Sequence, residues 1–226
     1  MSDFTRYAIY YAPAHGAFAE AAAAWLGWDL AAGRAVAQPD LPGLPRGAAA
    51  LTQAPRKYGF HGTIRAPFRP AIPEDRLIAG LDDLAAGLPP ARCGALRLRD
   101  LHGFLALIPE DDAALSDLAA AVVQGSDPWR APLTPEDIAR RRPEALSPRQ
   151  RALLDRWGYP FVMEEFRFHL TLTDRLDAAE AAAVAPVLRD WFAPVLPDPF
   201  IVTDLCLVAE DASGRFHLRH RATLSG

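Results

Sequence analysis

The sequence predicts an α+β fold made by duplicating one strand–helix–hairpin unit, and two observations carry that prediction. A His-x-Thr triplet occurs twice, as His61-Gly62-Thr63 and His169-Leu170-Thr171, each preceded by phenylalanine in a run of strand character. After each triplet the same elements follow in the same order: one helix, then two strands around a tight turn.

Taken in order, Tyr7-Ala8-Ile9-Tyr10-Tyr11 is aromatic and aliphatic and stops before Pro13, so it reads as a strand. Residues 18–26 are alanine-rich, favour helix and close on Gly27. Residues 28–55 are rich in Gly and Pro with weak periodicity. They read as a long ordered loop with a helical turn near 47–52, and loops of this length often serve as lids or binding loops. The first unit then runs through a strand at 59–66 and a helix at 73–88. Glu74 and Asp75 occupy the first turn of that helix, where its dipole favours acids. Strands at 96–101 and 104–108 flank the turn His102-Gly103.

Between the units, 111–123 is an amphipathic helix and 126–160 a polar insertion with turns started by Pro135 and Pro148. Arg140, Arg141 and Arg142 in that insertion read as a solvated helix face. The second unit has a strand at 166–173, a helix at 177–192 capped by Asp177, and strands at 200–209 and 215–221 around 211–214. The turns at Gly103 and Gly214 repeat at about the same offset as the two histidines. Apart from the triplets the units share few residues, so architecture repeats rather than sequence. The 226 residues suit a single domain, with a lobe carrying the first motif at about 56–125 and a lobe carrying the second at about 160–226.

Composition narrows the function. Half of the residues are hydrophobic, enough to bury a full core. The formal charge of -4 argues against nucleic acid as an obligatory partner, because phosphate contacts demand a basic face. A small anion held by a local cluster stays compatible. Cys93 and Cys206 lack metal-type spacing and read as buried apolar residues. The N-terminus, Met1 to Arg6, does not resemble a signal peptide, and no apolar run nears the roughly 20 residues that span a bilayer, so a cytoplasmic protein without a membrane partner is expected. Oligomeric state is not legible.

The chemistry lies in the two triplets. Side chains alternate along a strand, so His61, Thr63 and Arg65 are expected on one face, with Phe60 and Ile64 opposite. By the same rule Arg167, His169, Thr171 and Thr173 share a face, with Phe168, Leu170 and Leu172 behind. Lys57 alternates with His61 across Gly59 and is expected at the same site, with Tyr58 at its rim. A His-x-Thr or His-x-Ser match is cheap, with roughly 0.4 expected by chance from six histidines. Their equivalent placement in a doubled architecture is what gives them weight. Opening a cyclic phosphodiester with water needs a base for the water and an acid for the departing oxygen. Two imidazoles can supply both near neutral pH, while threonine hydroxyls and a guanidinium meet the charge on the phosphate oxygens. No carboxylate cluster suggests a metal, and no cofactor is implied. Trp157 and Tyr159 read as core packing, and His217, Arg219 and Arg221 as a surface face of the last strand.

Three stretches resemble the two-histidine (2H) phosphoesterase superfamily, and within it a branch whose genes accompany phosphonate-utilisation operons. They are Arg6-Tyr7-Ala8-Ile9-Tyr10-Tyr11-Ala12-Pro13, the run from Tyr58 to Arg69 around Phe60-His61-Gly62-Thr63, and Glu165-Phe166-Arg167-Phe168-His169-Leu170-Thr171-Leu172-Thr173. The resemblance implies two lobes related by a pseudo-twofold axis, with both motif strands lining a central cleft. It implies hydrolysis of cyclic phosphodiesters of nucleotides, RNA ends or small sugar phosphates. His61 and His169 would form the acid/base pair, and Thr63 and Thr171 would bind phosphate. The branch is expected to carry Lys more often at position 65; Arg65 keeps the charge but replaces a point donor by a planar fork. A phosphonate setting suggests a phosphoribosyl cyclic phosphate. RNA-end processing and non-catalytic sensing of a phosphorylated metabolite are the competing readings.

Overall fold

The computed structural model describes residues 4–226; Met1, Ser2 and Asp3, where the N-terminus was read as non-secretory, lie outside the described residues. The chain opens with β1 (Arg6–Tyr11) and α1 (Ala17–Leu26). A short ladder of β2 (Trp28–Asp29) with β3 (Arg34–Ala35) follows, then the single-turn helices α2 (Ala48–Leu51) and α3 (Gln53–Arg56). The first unit comprises β4 (Gly62–Phe68), α4 (Glu74–Ala86), β5 (Ala91–Arg92), β6 (Leu96–Asp100) and β7 (Leu105–Pro109). Helices α5 (Ala113–Ser126), α6 (Pro135–Arg140) and α7 (Pro148–Trp157) come next. The second unit comprises β8 (Leu170–Thr171), α8 (Ala178–Phe192), β9 (Ile201–Val202), β10 (Asp204–Glu210) and β11 (Phe216–Thr223).

Seven strands form one antiparallel sheet in the order β11-β10-β1-β4-β8-β7-β6. The two motif strands are neighbours at its centre, joined by one registered pair, Gly62 opposite Leu170. The sheet therefore has a four-stranded half and a three-stranded half that meet at the motifs. The hairpins are exchanged between units: β4 lies with β1 and the hairpin β10-β11, whereas β8 lies with the hairpin β7-β6. Segments 56–125 and 160–226 thus interleave in space. The exchange gives each motif strand neighbours on both sides, so neither presents a free edge.

One face of the sheet carries the helices. Tyr7, Ile9 and Tyr11 of β1, Ile64 of β4, Leu170 of β8 and Leu205 and Leu207 of β10 pack there against Trp25, Leu77, Leu81, Leu118, Val122, Leu188 and Phe192. Burying each such side chain stabilises by about 1.5–3 kcal/mol. The other face carries a smaller cluster of Ala8, Tyr10, Ala12, Leu30, Cys206, Val208 and Phe216, with Tyr58 packed on its edge. Alternation along β1 thus points Tyr10 away from the helices and toward the motif histidines.

Two expected strands are shorter than the sequence suggests. Pairing in the first starts at Gly62 rather than 59, because Gly59 adopts φ +71 and lies so close to Leu30 that a Cβ there would come within 2.8 Å of it. In the second, a 3₁₀ turn at Met163–Glu165 delays the ladder to Leu170–Thr171. In the 28–55 segment α2 is the helical turn expected near 47–52, and the β2–β3 hairpin and α3 are additional to it. Asp174, next to the second motif, accepts bonds from the Gln53 and Ala54 amides at 2.9 and 2.8 Å and caps α3. The insertion is ordered too: capping boxes at Thr134/Asp137 and Ser147/Gln150 start α6 and α7. Asp137 also pairs with Arg69 at 2.9 Å, which anchors α6 to the end of β4.

Candidate active site

The site is set by the register of the motif strands. With Gly62 facing Leu170, moving one residue along each strand places His61 across from Thr171 and Thr63 across from His169. Directly opposed side chains on one face lie about 5 Å apart at Cβ. Gly62 and Leu170 point into the core, so both histidines and both threonines fall on the face away from the helices.

The two imidazoles are held in the same way. Nδ1 of His61 donates to the Gly59 carbonyl at 2.9 Å, and Nδ1 of His169 donates to the Arg167 carbonyl at 2.9 Å. A carbonyl can only accept, so each Nδ1 carries the hydrogen and each Nε2 is left for a ligand. His61 also lies on an aromatic platform. Its ring stacks on Tyr10 at 4.0 Å and faces Tyr58 at 5.7 Å, and Tyr58 stacks in turn on Phe216 at 5.2 Å. Burial in this setting pushes the His61 pKa down to about 4, against the Gly59 bond that raises it; a charge on His169 lowers it further. His61 is therefore neutral at physiological pH. Phe104 approaches the ring of His169 at 5.8 Å.

A cavity of about 820 Å³ opens over this face, lined by His61, Thr63, Thr171, Tyr10, Tyr58 and Lys57 among other residues. An adjoining hollow of about 300 Å³ is lined by His169, Arg167, Phe166 and Val162. The two share Thr63, Phe104 and Tyr159, so the histidines border adjacent parts of one cleft. Among the described residues, no group of three or more His, Cys, Asp or Glu is arranged to hold a metal. No helix among them is long and apolar enough to cross a membrane.

The structure thus brings His61, Thr63, His169, Thr171, Lys57 and Tyr58 to one cleft. Thr173 reaches it too, but its hydroxyl oxygen already accepts the Leu105 amide at 2.9 Å, standing in for a ladder bond. Arg167 borders the hollow beside His169, with its guanidinium tied to the Glu164 and Phe166 carbonyls at 2.9 and 2.5 Å.

Arg65 is not on the cleft wall, contrary to simple alternation. A bulge in the β1–β4 pairing sets Thr63 opposite Tyr10 but Arg65 opposite Ile9, making Ile64 the extra residue. Arg65 consequently shares the helix face with Ile9. It is buried, and it donates to the Val123 carbonyl at 2.6 Å and to Ser126 Oγ at 2.8 Å, at the carbonyl end of α5. Burial lowers its pKa to about 10, which leaves it charged, with Asp127 at 3.6 Å as counter-charge.

Several cleft residues were not legible. Tyr10 looked like any aromatic in an apolar strand; only alternation relative to Tyr7 and Ile9 could single it out. Arg140 and Arg141 border the cavity rather than forming a merely solvated face, and Arg141 lies over Tyr159 at 4.7 Å. Tyr159, read as core, is a wall of the cleft. The cations of the last strand are all paired: His217 with Asp211, Arg219 with Glu74 and Arg221 with Asp204.

The chain is 37% identical over 223 residues to "Ribose 1,5-bisphosphate phosphokinase PhnN" of Janthinobacterium sp. (strain Marseille), covering 94% of this chain and 49% of that protein. It is 35% identical over 214 residues to the protein of the same name in Laribacter hongkongensis (strain HLHK9), covering 92% of this chain and 49% of that protein. It therefore spans about half the length of the curated relatives it matches. Among solved structures, E. coli LigT complexed with NADP+ aligns over 100% of both chains at 16% identity and a TM-score of 0.47. A structure described as a phosphoesterase aligns over 99% of both chains at 18% identity and a TM-score of 0.45. A family model described as "Protein of unknown function (DUF1045)" matches residues 63–217, more than half of the sequence, and the chain belongs to that family.

Proposed function

We propose that this protein is a metal-independent phosphoesterase of the two-histidine type, hydrolysing the cyclic phosphodiester of a small sugar phosphate or nucleotide. The observation that carries the reading is the matched pair of imidazoles. Each is oriented through Nδ1 by the carbonyl two residues earlier, each offers Nε2 to the cleft, and each lies across from the other motif's threonine.

The lowered pKa of His61 supports a division of labour. A neutral imidazole with a free Nε2 lone pair suits the base, so His61 takes a proton from water as its oxygen bonds to phosphorus. His169 then serves as the acid, entering protonated and giving its Nε2 proton to the sugar oxygen as the P–O bond of the ring breaks. The product is a phosphomonoester, and solvent returns both histidines to their starting states. Thr63 and Thr171 donate hydroxyl hydrogens to the non-bridging oxygens, where charge gathers in the transition state. The motif stretches resemble a phosphonate-associated branch, and the curated relatives are named for a phosphorylated ribose. Both favour a phosphoribosyl cyclic phosphate in phosphonate metabolism.

The test is phosphorus NMR of the purified protein with chelator present. The panel comprises nucleoside 2',3'-cyclic phosphates and phosphoribosyl 1,2-cyclic phosphate. Ring opening in chelator supports the reading. Ligand recovered unchanged from every cyclic ester, despite saturable binding, would mark the protein as a sensor instead.

A further inference from the structure

The cleft carries more positive charge than one phosphate between two histidines requires. Lys57, Arg140 and Arg141 line the cavity together with Tyr58 and Tyr159. Among the described residues none of these three cations has a carboxylate partner. Arg6 on the same wall, by contrast, is neutralised by Glu210 at 2.6 Å.

The cluster is also built rather than incidental. Arg141 packs over Tyr159 with its guanidinium carbon 4.7 Å from the ring centre, a cation–π contact that restrains the side chain at the cavity wall. Lys57 Nζ sits 5.0 Å from the Tyr58 ring centre, on the aromatic platform that carries His61. Helix α6, which ends at Arg140, is fixed by its capping box and by the Arg69–Asp137 pair at 2.9 Å. Partial burial depresses the pKa of Arg141, as expected of a cation waiting for a counter-ion.

We propose that Arg141, Arg140 and Lys57 form a second anion subsite, and that the substrate is a cyclic phosphodiester bearing a separate phosphomonoester, such as a sugar 5-phosphate. The dianionic monoester binds this wall while the ring phosphate lies between His61 and His169. The substrate part of the inference rests on the phosphoesterase reading; the anion subsite itself does not. The same chemistry could come from the internal phosphodiester of an RNA 3'-end, which carries one charge per phosphate rather than two.

The experiment uses the full chain as wild type, Arg141→Gln, Arg140→Gln and, as a remote control, Arg97→Gln, whose side chain pairs with Glu110 at 2.7 Å away from the cleft. Ribose 5-phosphate binding is measured by calorimetry. The kcat/KM for ribose 1,2-cyclic phosphate is compared with and without a 5-phosphate, and with that for a dinucleotide ending in a 2',3'-cyclic phosphate. The expected preference for the 5-phosphorylated ester is about thirtyfold in wild type, falling about tenfold in Arg141→Gln and unchanged in Arg97→Gln. Arg141→Gln weakens ribose 5-phosphate binding by a similar factor. Equal kcat/KM with and without the 5-phosphate would overturn the subsite while leaving ring opening intact. A preference for the dinucleotide would overturn the substrate class. Arg141-dependent binding of ribose 5-phosphate without turnover of any cyclic ester would uphold the subsite and defeat the phosphoesterase reading.

Discussion

Gly62 lies directly opposite Leu170 at the junction of the two sheet halves, and each is the residue that follows a motif histidine. The two positions are equivalent in the repeat but not in space requirement. A Cβ on Gly62 would lie 2.2 Å from Cζ of Phe168, the residue before the second histidine. The ring preceding one motif thus fills the side-chain volume missing from the other.

Gly62→Ala is therefore expected to destabilise by about 1–3 kcal/mol, since the ring must leave its packed position. Gly62→Ala with Phe168→Leu recovers part of that loss. Urea unfolding of the two variants checks this, and wild-type stability in Gly62→Ala would show that the approach of Phe168 does not constrain the junction.

His61 links the site to acid stability. Its folded pKa of about 4 lies below the ordinary histidine value of 6.5. Above 6.5 both folded and unfolded chains leave it neutral. As pH falls from 6.5 to 4 the unfolded chain takes up the proton and the folded chain does not, so stability falls; below 4 the loss is complete. The full effect is at most about 3 kcal/mol. His61→Gln is expected to flatten the stability curve between pH 6.5 and 4. An unchanged slope in that variant would mean that His61 titrates normally in the fold.

Arg65 is expected to act on stability. Arg65→Ala removes two buried hydrogen bonds, to the Val123 carbonyl and the Ser126 hydroxyl, whereas Asp127 keeps Arg130 and Arg156 and Ser126 still donates to the Val122 carbonyl. The expected cost is about 2–4 kcal/mol, read as a lower denaturation midpoint. A stable Arg65→Ala variant with a raised KM would instead return this residue to phosphate binding.

Arg65 also shows where the sequence stops being readable. His61, Thr63, His169 and Thr171 declared themselves because both strands obey the period of two around each triplet, and because a doubled order of elements placed the triplets equivalently. Four residues later the same rule fails, because the bulge at Ile64 depends on how β1 pairs with β4, and pairing is a long-range property. The exchange of hairpins between the units is hidden for the same reason: chain order fixes which elements exist, not which edges they join. The arginines of the insertion reach the cleft through the Arg69–Asp137 contact, and nothing local in Arg140-Arg141-Arg142 distinguishes that from a solvated helix end. The single-turn helix α3 escapes periodicity because it is too short to show it and depends on a cap from distant Asp174, whereas α2 falls where the helical turn near 47–52 is expected.

The central claim is that His61 and His169 together open a cyclic phosphodiester, and the most direct measurement is single-turnover ring opening by wild type, His61→Ala, His169→Ala and the double variant. The account predicts that each single substitution lowers the rate about 10³-fold and that the double variant is little worse than either, because the two act as one proton-transfer unit. Turnover within about tenfold of wild type in either single variant would contradict it.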